Sequence, residues 1–129
     1  MILGIGTDIV KIERIKKAIE RTPGFMNAAF NETEIMYLKS KGNKDESIAA
    51  TFAVKEAVSK ALGTGFRGFG LHDIEVMRDS LGKPSVNLSE KLIKMFKLKN
   101  YTIHISISHT TDDAIAFAIL EGECDGFNF

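Results

Sequence analysis

The chain has 129 residues, 44% of them apolar and 26% charged, with 17 basic side chains against 17 acidic ones. That is enough for one soluble domain with its own core, and it excludes whole-chain disorder, collagen and fibrous heptad architectures. Zero net charge speaks against bulk nucleic-acid binding, the single cysteine Cys124 forbids an intrachain disulfide, and no apolar run approaches the roughly 18 residues of a membrane span.

The first segment, MILGIGTDIV, lacks an early positive charge, and Asp8 interrupts its apolar run. It reads as a first strand over residues 2–6 rather than a secretion signal, and the cytoplasm is the expected compartment, with no membrane or nucleic-acid partner. Residues 11–21 have helical period: Ile12, Ile15 and Ile19 fall on one side, and Arg14, Lys17 and Arg21 nearly opposite. Pro23-Gly24 stops that helix. A second helix is expected from Asn31 to Ser40, with Glu34 completing a capping box. Residues 46–62 should form the longest helix, apolar nearly all the way round and therefore buried on most sides. Lys55 on it reads as a snorkelling surface lysine. Gly63-Thr64-Gly65 ends it.

The second half reads mostly as strand. Residues 73–78 and 85–88 form a hairpin around Leu81-Gly82-Lys83-Pro84. Ser89 caps a short helix running to about Leu98, with Leu92, Ile93 and Phe96 inward. Residues 102–108 alternate through Ile103, Ile105 and Ile107, and residues 114–120 through Ile115, Phe117 and Ile119. The expected class is α+β, one domain over residues 1–129 with helices on one face of a mainly antiparallel sheet. The tail from residue 122 to 129 shows no pattern and is expected to pack on a neighbour or stay flexible.

Charge is unevenly spread. Residues 11–21 carry a net +3 and residues 83–99 a net +4, whereas residues 112–129 hold five acids and no base. Two basic patches on a neutral chain point to a local anionic partner or to solvated helix faces.

The buried helix carries Glu56 and Lys60 one turn apart, an arrangement that is either a helical ion pair or a working pair. Asp8, just past the first strand, either caps the following helix or joins Glu56 in a two-carboxylate site of the kind Mg²⁺ accepts. Residues 63–68 match G-x-G-x-x-G but follow a helix instead of a strand, which disqualifies them as a dinucleotide fingerprint. They read as a plain helix stop or as backbone N–H groups offered, with Arg67, to a phosphate. His109, ending a strand beside a turn, reads as a phosphate donor or an ordinary turn histidine.

The order of these pieces is more telling than any one of them. Gly4-Ile5-Gly6-Thr7-Asp8, then Ile12-Glu13-Arg14-Ile15, then Phe52-Ala53-Val54-Lys55-Glu56-Ala57 with Ser59-Lys60-Ala61 and Gly63-Thr64-Gly65, then Gly82-Lys83-Pro84 and Ser106-Ile107-Ser108-His109 together resemble the short-chain 4′-phosphopantetheinyl transferases, the holo-acyl-carrier-protein synthase family. The resemblance runs from residue 2 to about 120. It implies transfer of phosphopantetheine from coenzyme A to a serine of an acyl carrier protein, releasing 3′,5′-ADP with Mg²⁺ as cofactor. It makes Asp8 and Glu56 the metal ligands, and Lys60 a lysine close to the reacting phosphates. Ser59, Gly63, Lys83, Pro84, His109 and Thr110 are implied to line the coenzyme A site. Arg14, Lys17 and Arg21, with Phe25 as an apolar anchor, are implied to meet the acidic carrier protein. It also implies a homotrimer with sites between subunits, because larger members resemble two such domains fused. Phe52 stands where many members have tryptophan.

Overall fold

A computed structural model describes residues 1–124. Five strands, five α-helices and one 3-10 turn follow in the order β1 (Ile2–Lys11), α1 (Ile12–Arg21), α2 (Phe25–Ala29), α3 (Glu32–Ser40), α4 (Asp45–Ala61), the 3-10 turn (Leu71–Asp73), β2 (Ile74–Arg78), β3 (Pro84–Leu88), α5 (Glu90–Met95), β4 (Leu98–His109) and β5 (Asp113–Cys124). The antiparallel sheet β1-β5-β4 carries α4 across it, and β2 and β3 form a separate hairpin. The α+β reading holds.

The contact between α4 and the sheet is set by small residues. Ala114, Ala116 and Ala118 of β5 and Ala53, Ala57 and Ala61 of α4 are buried in it. On β1, a Cβ added to Gly4 would overlap the carbonyl oxygen of Ala61, and one added to Gly6 would overlap that of Ala57. Helix and strand backbones therefore touch, which only glycine permits. On β5 the alternation runs opposite to bulk: the alanines face the helix, and Ile115 and Phe117 face outward. With Ile5 and Ile9 of β1 they leave an apolar patch on the open face of the sheet.

Several element bounds differ from the sequence expectation. The first strand runs five residues beyond Gly6, to Lys11, so Asp8 lies inside it, opposite Ala116. Pairing with β5 along that length holds the strand through its acidic residue. Asp8 is not the cap of α1, since Lys11 occupies that position. The chain re-enters a helix at once after Gly24, in a left-handed turn, to make the five-residue α2. The last helix stops at Met95, because Lys97 has a positive φ and Leu98 already starts β4. Residues 122–124, expected as patternless tail, extend β5, and the remaining tail lies outside the described residues.

Lys55 corrects a surface assignment. It is fully buried, with Nζ 2.6 Å from Glu34 Oε1. Phe30, Asn31, Glu34 and the Leu71 carbonyl close around it, so no route to water remains for it to snorkel along. Burial pulls its pKa down, against the pull of Glu34 upward. Glu34 accepts from the backbone N–H of Asn31, as a capping box requires, and also from that of Val76, both at 2.7 Å.

Candidate active site

Asp8 projects from the helix-facing side of β1 toward α4, whose Glu56 and Lys60 sit one turn apart. Lys60 Nζ donates to Asp8 Oδ1 at 3.0 Å and to the Thr7 carbonyl oxygen at 3.1 Å. The pair bridges helix and sheet; it is not an ion pair within the helix. Half of the Lys60 side chain stays exposed (52%), so its ammonium is available to a ligand. Asp8 and Glu56 line one cavity of about 340 Å³ with Arg14, Ile15, Phe25 and Phe52.

Burial raises the Glu56 pKa, the Asp8 charge raises it further, and Lys60 offsets part of this. Two carboxylates thus share one cavity, with Arg14 on its wall and Lys60 bound to Asp8, and the charge on Asp8 disfavours the charge on Glu56. A divalent cation held by both carboxylates would relieve that repulsion. Among the described residues no group of three or more His, Cys, Asp or Glu side chains comes together. A two-carboxylate donor set fits Mg²⁺, which takes one or two carboxylates and fills its shell with water and phosphate oxygens.

The basic stripe of α1 meets the cavity at Arg14. Ile15 is buried, and Arg14, Lys17 and Arg21 are all exposed. Arg14 reaches the cavity itself, and Phe25, at the start of α2, forms its apolar wall with Phe52. Phe25, Phe30 and Phe52 pack as a triad with ring centroids 6.3 to 6.5 Å apart.

The remaining residues singled out in the sequence lie in three other places. Ser59 is buried, and its hydroxyl donates to the Glu56 carbonyl at 2.6 Å. It braces the end of α4 and leaves contact with any ligand there to the exposed Gly63 turn beside it, at a φ of 92°. His109 and Thr110 line a second, open depression with Glu46 and Thr111. Lys83 and Pro84 belong to the β2–β3 turn, where the Asp79 carboxylate accepts from the backbone N–H groups of Leu81 and Lys83. Glu46 and Gly63 stand near opposite ends of α4, about 25 Å apart at 1.5 Å per residue. One copy of the chain therefore brings Asp8, Glu56, Lys60, Arg14 and Phe25 together, and keeps His109 and Thr110 apart from Ser59 and Gly63.

Two site features escaped sequence reasoning. One is the Lys55–Glu34 pair, whose only signal was a lysine inside an alanine-rich helix. The other is Arg78, the last inward-facing residue of β2. Its Nη2 donates to Thr51 Oγ1 at 3.3 Å, its guanidinium stands 5.3 Å from the Tyr37 ring centroid, and its buried Nε has no partner. Among the described residues no carboxylate pairs with it.

Comparison with known proteins agrees with this architecture. The 4′-phosphopantetheinyl transferase superfamily matches residues 4–119. A holo-[acyl-carrier-protein] synthase of Clostridium botulinum (strain Alaska E43 / Type E3) is 67% identical over 121 residues, covering 94% of this chain and 98% of that one. Among solved structures, Helicobacter pylori holo-[acyl-carrier-protein] synthase in complex with coenzyme A superimposes with a TM-score of 0.81 at 34% identity, covering 91% of this chain and 99% of that one. A holo-(acyl-carrier-protein) synthase from Bacillus anthracis in complex with CoA (3′,5′-ADP) gives 0.78 at 38% identity, covering 95% and 99%. With nearly its full length matched at this identity, the chain belongs to the 4′-phosphopantetheinyl transferase superfamily, among the holo-[acyl-carrier-protein] synthases.

Proposed function

We propose that this chain transfers 4′-phosphopantetheine from coenzyme A to a serine of an apo acyl carrier protein, with Mg²⁺, and releases 3′,5′-ADP. The observation that carries the reading is the cavity in which Asp8 and Glu56 meet Arg14 and Phe25, with Lys60 on Asp8. The serine oxygen attacks the β-phosphorus and gives up its proton to a cavity carboxylate or to water. A new O–P bond forms, the bridging P–O bond of the pyrophosphate breaks, and 3′,5′-ADP leaves with its electron pair. Such a reaction depends on positioning and positive charge more than on covalent help from the protein. Asp8 and Glu56 would hold Mg²⁺, which when bound supplies positive charge to the pyrophosphate oxygens. The half-exposed Lys60 ammonium neutralises or protonates the departing phosphate. Arg14, Lys17 and Arg21 steer an acidic partner, and Phe25 receives an apolar side chain from it.

The coenzyme A site is shared between copies in this reading. Ser59 and Gly63 lie at one end of α4, and Lys83, Pro84, His109 and Thr110 lie toward the other. A second copy supplies the missing wall. The apolar sheet face of Ile5, Ile9, Ile115 and Phe117, each at least 37% exposed, offers the surface through which copies associate as a homotrimer. The Arg78 guanidinium, which meets no carboxylate among the described residues, adds positive charge for a phosphate near the Lys83 turn.

Intact-mass spectrometry of an apo carrier protein incubated with the enzyme, coenzyme A and Mg²⁺ tests the reading. A gain of one phosphopantetheine, abolished by EDTA, is the expected result. No gain, with no binding of coenzyme A, would overturn it.

A further inference from the structure

The helix α2 is too short to hold itself. Five residues cannot repay helix nucleation in water, so its place must be fixed from outside. The fixing groups form one chain of contacts behind it. Lys55 Nζ donates to Glu34, to the Leu71 carbonyl at 3.0 Å and to Asn31 Oδ1 at 3.4 Å, and stands 5.5 Å from the Phe30 ring centroid. Asn31 Nδ2 donates to the His72 carbonyl at 3.3 Å, and His72 Nε2 lies 2.8 Å from the carbonyl oxygen of Asn27 in α2. Phe30, next to Asn31, packs edge-on against both Phe25 and Phe52. A buried ammonium thus grips the residues just past the end of α2, and the aromatic triad passes that grip to the cavity wall.

We propose that Lys55 is a positioning residue for carrier-protein recognition: with Glu34, Asn31 and His72 it fixes α2 so that Phe25 and Phe52 form the apolar wall of the docking cavity. This rests on the function proposed above. It gives adjacent residues of α4 separate duties. Glu56 faces the cavity one turn from Phe52, and Lys55, turned about 100° away, sets the apolar wall from behind. The Lys55 ammonium touches neither coenzyme A nor the transferred group, so its loss should fall on one substrate only.

The test compares KM for apo carrier protein and KM for coenzyme A in the full-length enzyme, with folded fractions set by calorimetry. Lys55→Met leaves Glu34 buried without its cation and risks the fold. His72→Ala cuts the same network at its exposed end and spares the core. Carrier-protein KM should rise roughly tenfold in Lys55→Met and about threefold in His72→Ala, with coenzyme A KM moving less than about twofold in either. A purely structural role would lower the active fraction and leave both KM values alone, and that outcome overturns the proposal. So does an equal rise in both. If Lys55→Met does not fold, His72→Ala decides by the same criteria. A wild-type enzyme that transfers nothing to any carrier protein refutes the proposed function itself, and this inference with it; normal wild-type transfer with no shift in carrier-protein KM refutes the inference alone.

Discussion

Lys60 is paired with Asp8 across the helix–sheet contact, not with Glu56, its neighbour one turn earlier on the same helix. The Lys60 ammonium is engaged by Asp8 and offsets only part of what burial and the Asp8 charge impose on Glu56. The Glu56 carboxylate is therefore a disfavoured anion that gains from a cation.

Glu56→Gln should keep the fold and abolish Mg²⁺-dependent transfer. Its melting temperature in metal-free buffer should equal or exceed that of the wild type, because the substitution removes a charge that burial and Asp8 both disfavour. Intact-mass spectrometry and a thermal melt on one preparation check both halves, and full activity would sink the metal assignment.

Gly6→Ala should cost about 3 kcal/mol or more, at or above the upper end for overpacking, because the new methyl meets the Ala57 carbonyl oxygen, which has no side chain to move aside. Urea unfolding reads the loss directly. An unchanged midpoint would mean that β1 and α4 lie farther apart than the structure places them.

Arg14→Ala should weaken carrier-protein binding more than coenzyme A binding, by roughly tenfold at low salt, with the loss shrinking as ionic strength rises. Calorimetric titrations at two salt concentrations separate this from a general defect, which would weaken both ligands alike.

Phe117→Glu should convert an associated enzyme to monomers and remove transfer activity, since the charge lands in the middle of the open sheet face. Sedimentation velocity checks the mass. A fully active monomer would show that one copy holds the whole site.

Asp73 supplies a pH dependence. Burial alone would raise its pKa, but the Gly70 N–H and Ser89 hydroxyl bonds, with the charges of Lys91 and His72, together hold it below the ordinary value of 3.8. A carboxylate depressed on folding stabilises the native state above its unfolded pKa, and that contribution disappears as pH falls through the folded one. Asp73→Asn should therefore cost about 1 kcal/mol at pH 6, and much less at pH 3. Paired melts at the two pH values measure it.

Much of this molecule was legible in its sequence because its signals are local. The amphipathic α1, the Gly82–Pro84 turn and the alternation of β4 each declare themselves within a dozen residues. The carboxylates Asp8 and Glu56 came out by motif order, and the structure puts them in one cavity. What could not be read depends on what covers a surface. Lys55 looks like any helix lysine until Phe30, Asn31, Glu34 and Leu71 close over it. The outward turn of Ile115 and Phe117 contradicts their bulk, and becomes intelligible only once Gly4 and Gly6 are seen bringing α4 down onto the sheet. α2 was missed because five residues carry too little periodicity to register.

The seam between α4 and β1 has a consequence for how Asp8, Glu56 and Lys60 keep their spacing. Most active sites hang from side chains that pack on other side chains, and such layers can slip into new rotamers when a distant residue changes. Here the helix bearing Lys60 rests on the strand bearing Asp8 through main-chain atoms at Ala57 and Ala61. Main chain against main chain has no alternative rotamer. The separation of the two elements is thus as stiff as the polypeptide itself, and a drift in the surrounding core reaches the site only by moving a whole helix.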